Sequence, residues 1–249
     1  MLILWAFLVL AGQSVFAQSQ EFYLSAIQVF LSPRQRTTLL TINNTGSGAI
    51  DFEISAEKWQ QTENGIDQLS PADGEIVVFP LILNVPPGES RNIRIGTRQP
   101  PSTVEGTYRL LVAELPAADI PETQATGPQL RIIKRMSLPV FIEPLNPIAT
   151  AEIVNTNIQN GQLGFTIRNT GNVHIQTLSI ALTGQTADGE MYFERNLDSV
   201  YVLAERERSF SQVDLPQAGC AQVRQVTIRL GSRRHPLSTQ LPTPNGICR

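Results

Sequence analysis

Residues 50–55 read IDFEIS, and the reading of that stretch decides the fold class. Ile50, Phe52 and Ile54 fall on one side of an extended chain, and Asp51, Glu53 and Ser55 fall on the other. Side chains of a strand alternate between its two faces, so this pattern predicts a strand with one face buried and one in water. Outward from it the rhythm returns in NIRIG (92–96), FTIRN (165–169) and QVTIRL (225–230). Polar, glycine- and proline-rich clusters separate the strands: NNTGSG (43–48), NVPPGES (84–90), NTGN (169–172), TADGE (186–190) and QAGCAQ (217–222). No long window carries a helical period. Short alternating strands between turn clusters predict an all-β chain built as sandwiches.

Two of these stretches nearly coincide. TINNTG (41–46) and TIRNTG (166–171) match at five of six positions, each following an apolar strand. Equivalent strand-to-turn corners of two similar domains account for the pair, each a polar turn in which Gly46 or Gly171 can take positive φ. A boundary is expected in IEPLNPIAT (142–150), where Pro144 and Pro147 interrupt pairing. The expected division is a leader at 1–17, a first domain at 18–144 and a second at 145–249, both near the usual size of a seven-strand sandwich.

Composition excludes more than it selects. The 249-residue chain is 41% hydrophobic and 16% charged, the balance of a folded protein, and its net charge of −3 gives no pull toward nucleic acid. Residues 1–17, MLILWAFLVLAGQSVFA, form an apolar run ending in Val15 and Ala17, the small-residue spacing of a signal-peptidase site before Gln18. No later stretch is long and apolar enough to span a membrane. Export places Cys220 and Cys248, the only cysteines, in an oxidising compartment, where the pair is expected to form a disulfide.

Signs of catalysis are missing. His174 and His235 are the only histidines, and no nucleophile elbow, zinc-binding His pair or phosphate loop occurs. His174 is expected to lie at the surface or to pack rather than react. No metal or organic cofactor is called for, and a hydrolase is disfavoured. The unusual segment is GPQLRIIKRMSLPVFIE (127–143), which follows the Pro- and Ala-rich loop ELPAADIPETQATGP (114–128). Leu130, Ile132, Lys134, Met136, Leu138, Val140 and Ile142 alternate along one face. An ordinary interior strand fits, and so does an edge held ready for a partner's strand.

Several stretches in order resemble the PapD-like periplasmic pilus-assembly chaperones of the chaperone–usher pathway. They are TTLLTINNTG (37–46), ISAEKW (54–59), NVPPGESRNIRI (84–95), GTYRLLVAELP (106–116) and RMSLPVFIEP (135–144). FTIRNTGNVH (165–174) is similar to the second-domain motif of the archaic branch. The resemblance implies two immunoglobulin-like β-sandwich domains set at an angle, with a cleft between them. It implies a non-enzymatic periplasmic chaperone, without cofactor, that lends a strand to pilus or fimbria-like subunits and passes them to an outer-membrane usher. The lent strand would be 128–138, with Leu130, Ile132 and Met136 filling the subunit's groove and Ile133 replacing them if a bulge shifts the pleat.

The family grips the subunit's terminal carboxylate with an Arg on its first strand and a Lys on its last. Alignment of AIQVFLSP (26–33) and LPVFIEP (138–144) puts Gln28 and Pro139 at those places, and neither carries charge. Arg109 and Arg135 are the replacement candidates, because Arg offers a planar fork to a carboxylate. The competing readings are an exported pilus subunit or adhesin and a carbohydrate- or peptide-binding sandwich. The first is expected to have one incomplete sandwich, and the second a surface aromatic cluster, against 6% aromatic residues here.

Overall fold

The computed structural model describes residues 22–116, 132–232 and 236–248. The leader at 1–17, Leu130 and His235 therefore lie outside the described residues. Ten strands form the first sandwich: β1 (Phe22–Leu24), β2 (Val29–Leu31), β3 (Thr37–Asn44), β4 (Ile50–Gln61), β5 (Asp67–Pro71), β6 (Ile76–Phe79), β7 (Ile82–Val85), β8 (Ser90–Thr97), β9 (Gly106–Glu114) and β10 (Arg135–Ile142). One sheet runs β1-β3-β8-β6, and the other runs β2-β10-β9-β4-β5, with β7 also on β4. The stretch 50–55 lies in β4, where Ile50, Phe52 and Ile54 are buried and Asp51, Glu53 and Ser55 are exposed. They meet Leu40, Ile42, Ile93 and Ile95 of the facing sheet in one core. That is the half-buried strand its alternation predicts.

Eight more strands form the second sandwich: β11 (Ala151–Gln159), β12 (Gln162–Asn169), β13 (Ile175–Gln185), β14 (Met191–Leu197), β15 (Tyr201–Val202), β16 (Glu207–Asp214), β17 (Gln225–Ser232) and β18 (Leu237–Pro242). Their sheets run β11-β12-β16 and β14-β13-β17-β18, with β15 on β13. Phe165, Ile167, Ile180, Leu182, Val226 and Ile228 belong to a separate core. Cys220 and Cys248 are bonded, with Cα atoms 5.0 Å apart across 28 residues. Closing a loop of that size stabilises the fold by about 3–4 kcal/mol in the chain-entropy account.

The duplicated hexapeptide does build the same corner twice. Asn44 and Asn169 close β3 and β12 with buried side chains. Asn44 Nδ2 donates to the carbonyls of Gly48 and Val85, and its Oδ1 accepts from Gly46 N. Asn169 Nδ2 donates to those of Val173, Val202 and Leu203, and its Oδ1 accepts from Gly171 N. Neither glycine uses the positive φ open to it, since neither is in the left-handed region. Gly171 is required by close approach instead: a Cβ there would lie 2.2 Å from the Ile148 carbonyl oxygen.

Candidate functional site

β10 carries the candidate lent strand. Along its whole length it pairs antiparallel with β9, from Arg135 opposite Ala113 to Ile142 opposite Gly106. Its other edge meets β2 in parallel, and only at Val140, Phe141 and Ile142. The bond from Glu114 N to the Lys134 carbonyl fixes the parity of the antiparallel ladder. Even-numbered residues of β10 therefore turn their backbone groups to β9, while Arg135, Ser137 and Pro139 turn theirs to the other edge. Among the described residues no strand covers that edge before Val140. Pro139 is tolerated because the N–H it lacks would point outward rather than into the β9 ladder.

The side chains divide along the same strand. Leu138, Val140 and Ile142 are core residues, and Met136 packs against that core. Lys134 marks where the sandwich ends, with its ammonium 5.6 Å from the Phe22 ring centroid and its backbone N–H bonded to Glu114 Oε2. Beyond it, Ile132 is 69% exposed and Ile133 49% exposed, an apolar pair that the described residues leave largely uncovered. The charge that interrupts the apolar face thus lies over the Phe22 ring at the end of the core, a cation–π contact.

The other face of the β10 sheet looks toward the second domain. Arg109 stands opposite Pro139 on one side and Glu57 of β4 on the other. One step before the Val29–Val140 pair, Gln28 falls beside Pro139, so Gln28, Pro139 and Arg109 share a row. The guanidinium carbon of Arg109 lies 3.7 Å from the Trp59 ring centroid and 5.8 Å from that of Tyr201. Burial lowers its affinity for a proton, and Asp67 and Tyr201 offset part of that. Among the described residues Arg109 enters no ion pair. Arg135 is on the same face, exposed, opposite Ala113 and four residues along β10 from Pro139. At strand spacing that is about 13 Å from the Arg109 row, so the two arginines do not form one site.

Domain two closes over this face. Gln28 Nε2 donates to Tyr201 Oη at 2.5 Å and to Gln176 Oε1 at 3.0 Å. Trp59, Phe141 and Leu203 form a small buried cluster with Tyr201 against it. His174 stacks on Phe141 at 3.7 Å between centroids, and both its backbone N–H and Nδ1 lie 2.8 Å from Glu105 Oε2. His174 therefore packs, as its sequence setting suggested. Tyr201 and Glu105 were not singled out from sequence, because their partners in the joint lie in the other domain.

A profile of the pili and flagellar-assembly chaperones, PapD N-terminal domain, matches residues 21–147. The chain belongs to that family. Its fold is also similar to that of a chain in the CsuC–CsuE chaperone–tip adhesion subunit pre-assembly complex from the archaic chaperone–usher Csu pili of Acinetobacter baumannii. The TM-score there is 0.59 at 18% identity, over 88% of this chain and 97% of that one. The complex of SafA pilin with the SafB chaperone of Salmonella enterica gives 0.58 at 14% identity, over 89% and 97%. The class 5 fimbriae chaperone CfaA gives 0.56 at 17% identity, over 90% and 100%. No curated protein shows significant similarity by sequence.

Proposed function

We propose that the protein is a periplasmic chaperone that completes pilus or fimbria-like subunits with its own β10 and the residues leading into it, then hands them to an outer-membrane usher. The single observation that supports this most is the edge of β10 that no described strand covers before Val140, running into the exposed apolar pair Ile132 and Ile133. An open edge offers unpaired backbone groups, and an incomplete sandwich needs them. Export by residues 1–17 belongs to the same proposal. Ile132 would fill the subunit's groove and Met136 would contribute at its inner end, with Leu130 following outside the described residues. Arg109 would hold the subunit's terminal carboxylate in place of the uncharged Gln28 and Pro139. Each sandwich buries a core made by its own strands, which disfavours the reading as an incomplete pilus subunit.

Affinity capture of the tagged protein from periplasm tests the proposal. A small β-rich subunit is expected to co-purify with the wild type and to be lost with Ile132→Asp. Equal capture by both proteins, or capture by neither, would overturn strand donation.

A further inference from the structure

We propose that the β4–β5 hairpin is a strap that holds the second domain at one angle to the first, with Gly65 and Arg208 as its clasp, so that the cleft is preformed before any partner strand arrives. The clasp stands on its own geometry, and its effect on capture rests on the reading that a partner strand pairs along β10. Past the last β4–β9 pair, Lys58 with Tyr108, the chain runs on as a two-stranded hairpin, from Trp59 opposite Leu69 to Gln61 opposite Asp67. The Thr62 carbonyl and hydroxyl close its turn by accepting from Gly65 N and Ile66 N. Two strands alone are marginal in water. These lean on the second domain at two places. Gln61 Nε2 donates to the Tyr201 carbonyl at 3.0 Å, and its Oε1 accepts from Leu203 N at 2.9 Å. Four residues further on, the Gly65 carbonyl accepts from Arg208 Nη1.

The tip is shaped for that approach. Glu63, Asn64 and Ile66 are exposed, while Gly65 among them is buried. A Cβ on Gly65 would lie 2.6 Å from Arg208 Cδ and 2.7 Å from the Glu207 carbonyl oxygen, so a larger residue keeps the hairpin off β16. Its φ of 76° is a second reason for glycine. Arg208 stands opposite Ile167 on β16 and enters no ion pair among the described residues. Its guanidinium instead donates to the backbone of the other domain, a charge-assisted bond. The place of this contact gives it leverage. Asn172 donates to the Thr103 carbonyl and to that of Asn146 in the linker, so those bonds act beside the hinge. β5 is three strands across the sheet from β10, about 14 Å at sheet spacing. A bond at that distance resists rotation about the linker with a long lever arm. It also bridges the cleft on the side away from the β10 edge, so a partner approaches from the β10 side.

Pulsed electron paramagnetic resonance between spin labels at Glu89→Cys and Asp188→Cys, exposed turns away from the joint, reads the angle. The native cysteines are bonded to each other and take no label. With no further change the protein is expected to give one narrow distance distribution. Arg208→Met keeps the aliphatic stem and removes the donor. Gly65→Asn tolerates the left-handed turn but sets a side chain against β16. Each should shift and broaden the distribution, and Glu63→Ala, exposed on the same tip, should leave it unchanged. Subunit capture from periplasm should fall several-fold in both variants, because a cleft that is competent only part of the time binds more weakly. The two substitutions lie in different domains, so a folding defect in one leaves the other to decide. If both keep the original distribution, or Glu63→Ala disturbs it equally, the strap is wrong. If the distribution broadens and capture is undiminished, the cleft does not need the strap and its preforming role falls. If the wild type captures nothing, strand donation fails, and the distances still decide the clasp.

Discussion

Asn44 and Asn169 occupy one structural position in two domains, yet they do unequal work. Each side chain replaces a ladder partner at the end of a strand, and each is buried, so its polar atoms need protein partners. Asn169 satisfies three carbonyls, two of them on Val202 and Leu203, the segment that also carries Tyr201 into the cleft. Three residues on, Asn172 reaches back to the first domain, donating to the Thr103 carbonyl while its own carbonyl accepts from Glu105 N. The second copy of the corner therefore also helps to hold the domains together. Asn169→Ala removes the side-chain donor shared by three carbonyls, of which Leu203's keeps the Arg206 N–H, and is expected to cost about 2–4 kcal/mol. Asn44→Ala should cost less, since two carbonyls are affected. Urea denaturation of both variants measures the difference, and equal losses would remove the asymmetry.

At the scale of the element, β10 is two strands in one. From Leu138 to Ile142 it belongs to its own core, whereas Ile132 and Ile133 extend past it. Ile132→Asp is accordingly expected to abolish subunit capture with no change in melting temperature. Met136→Asp should impair both, because Met136 packs against the core, and burying a carboxylate there costs several kcal/mol. Paired thermal melts and capture assays separate the two, and a Met136→Asp protein as stable as wild type would show that the strand sits differently. Much of this element was legible in the sequence, since alternation is a local property and survives without a structure. What makes Lys134 a ring contact at the end of the core rather than a break was not legible. That depends on where the sandwich ends, and Phe22, its ring partner, is more than a hundred residues away in the chain. The same limit hid Tyr201 from the candidate site, because its bond to Gln28 spans 173 residues. Gln28 and Pro139 could be read from sequence as departures from the family's basic pair, but not what Gln28 does instead.

At the scale of the whole molecule, β10 and the second domain are mechanically joined. Phe141 of β10 is sandwiched into the joint by His174, and His174 is held by Glu105 at two nitrogens. Gln61 bridges the same interface, donating to the Tyr201 carbonyl and accepting from Leu203 N. Any tilt of the second domain must therefore act on the end of β10 and on the row of Gln28, Pro139 and Arg109 beside it. Glu105 is the member of this joint whose removal does most harm. Its side chain is buried, and Glu105→Ala strips both the backbone N–H and Nδ1 of His174 of their partner while leaving a cavity between the domains. Losing such a partner is worth about 2–4 kcal/mol, which for a chain of this size lowers the melting midpoint by roughly 5–12 °C. Glu105→Gln keeps one acceptor oxygen and should fall between the two. Because the joint clamps Phe141, the loss should also reach β10: subunit capture should weaken in Glu105→Ala at temperatures where both sandwiches remain folded. Calorimetry together with the capture assay decides this, and a protein that melts lower but captures as the wild type does would mean that the joint stabilises the fold without positioning β10.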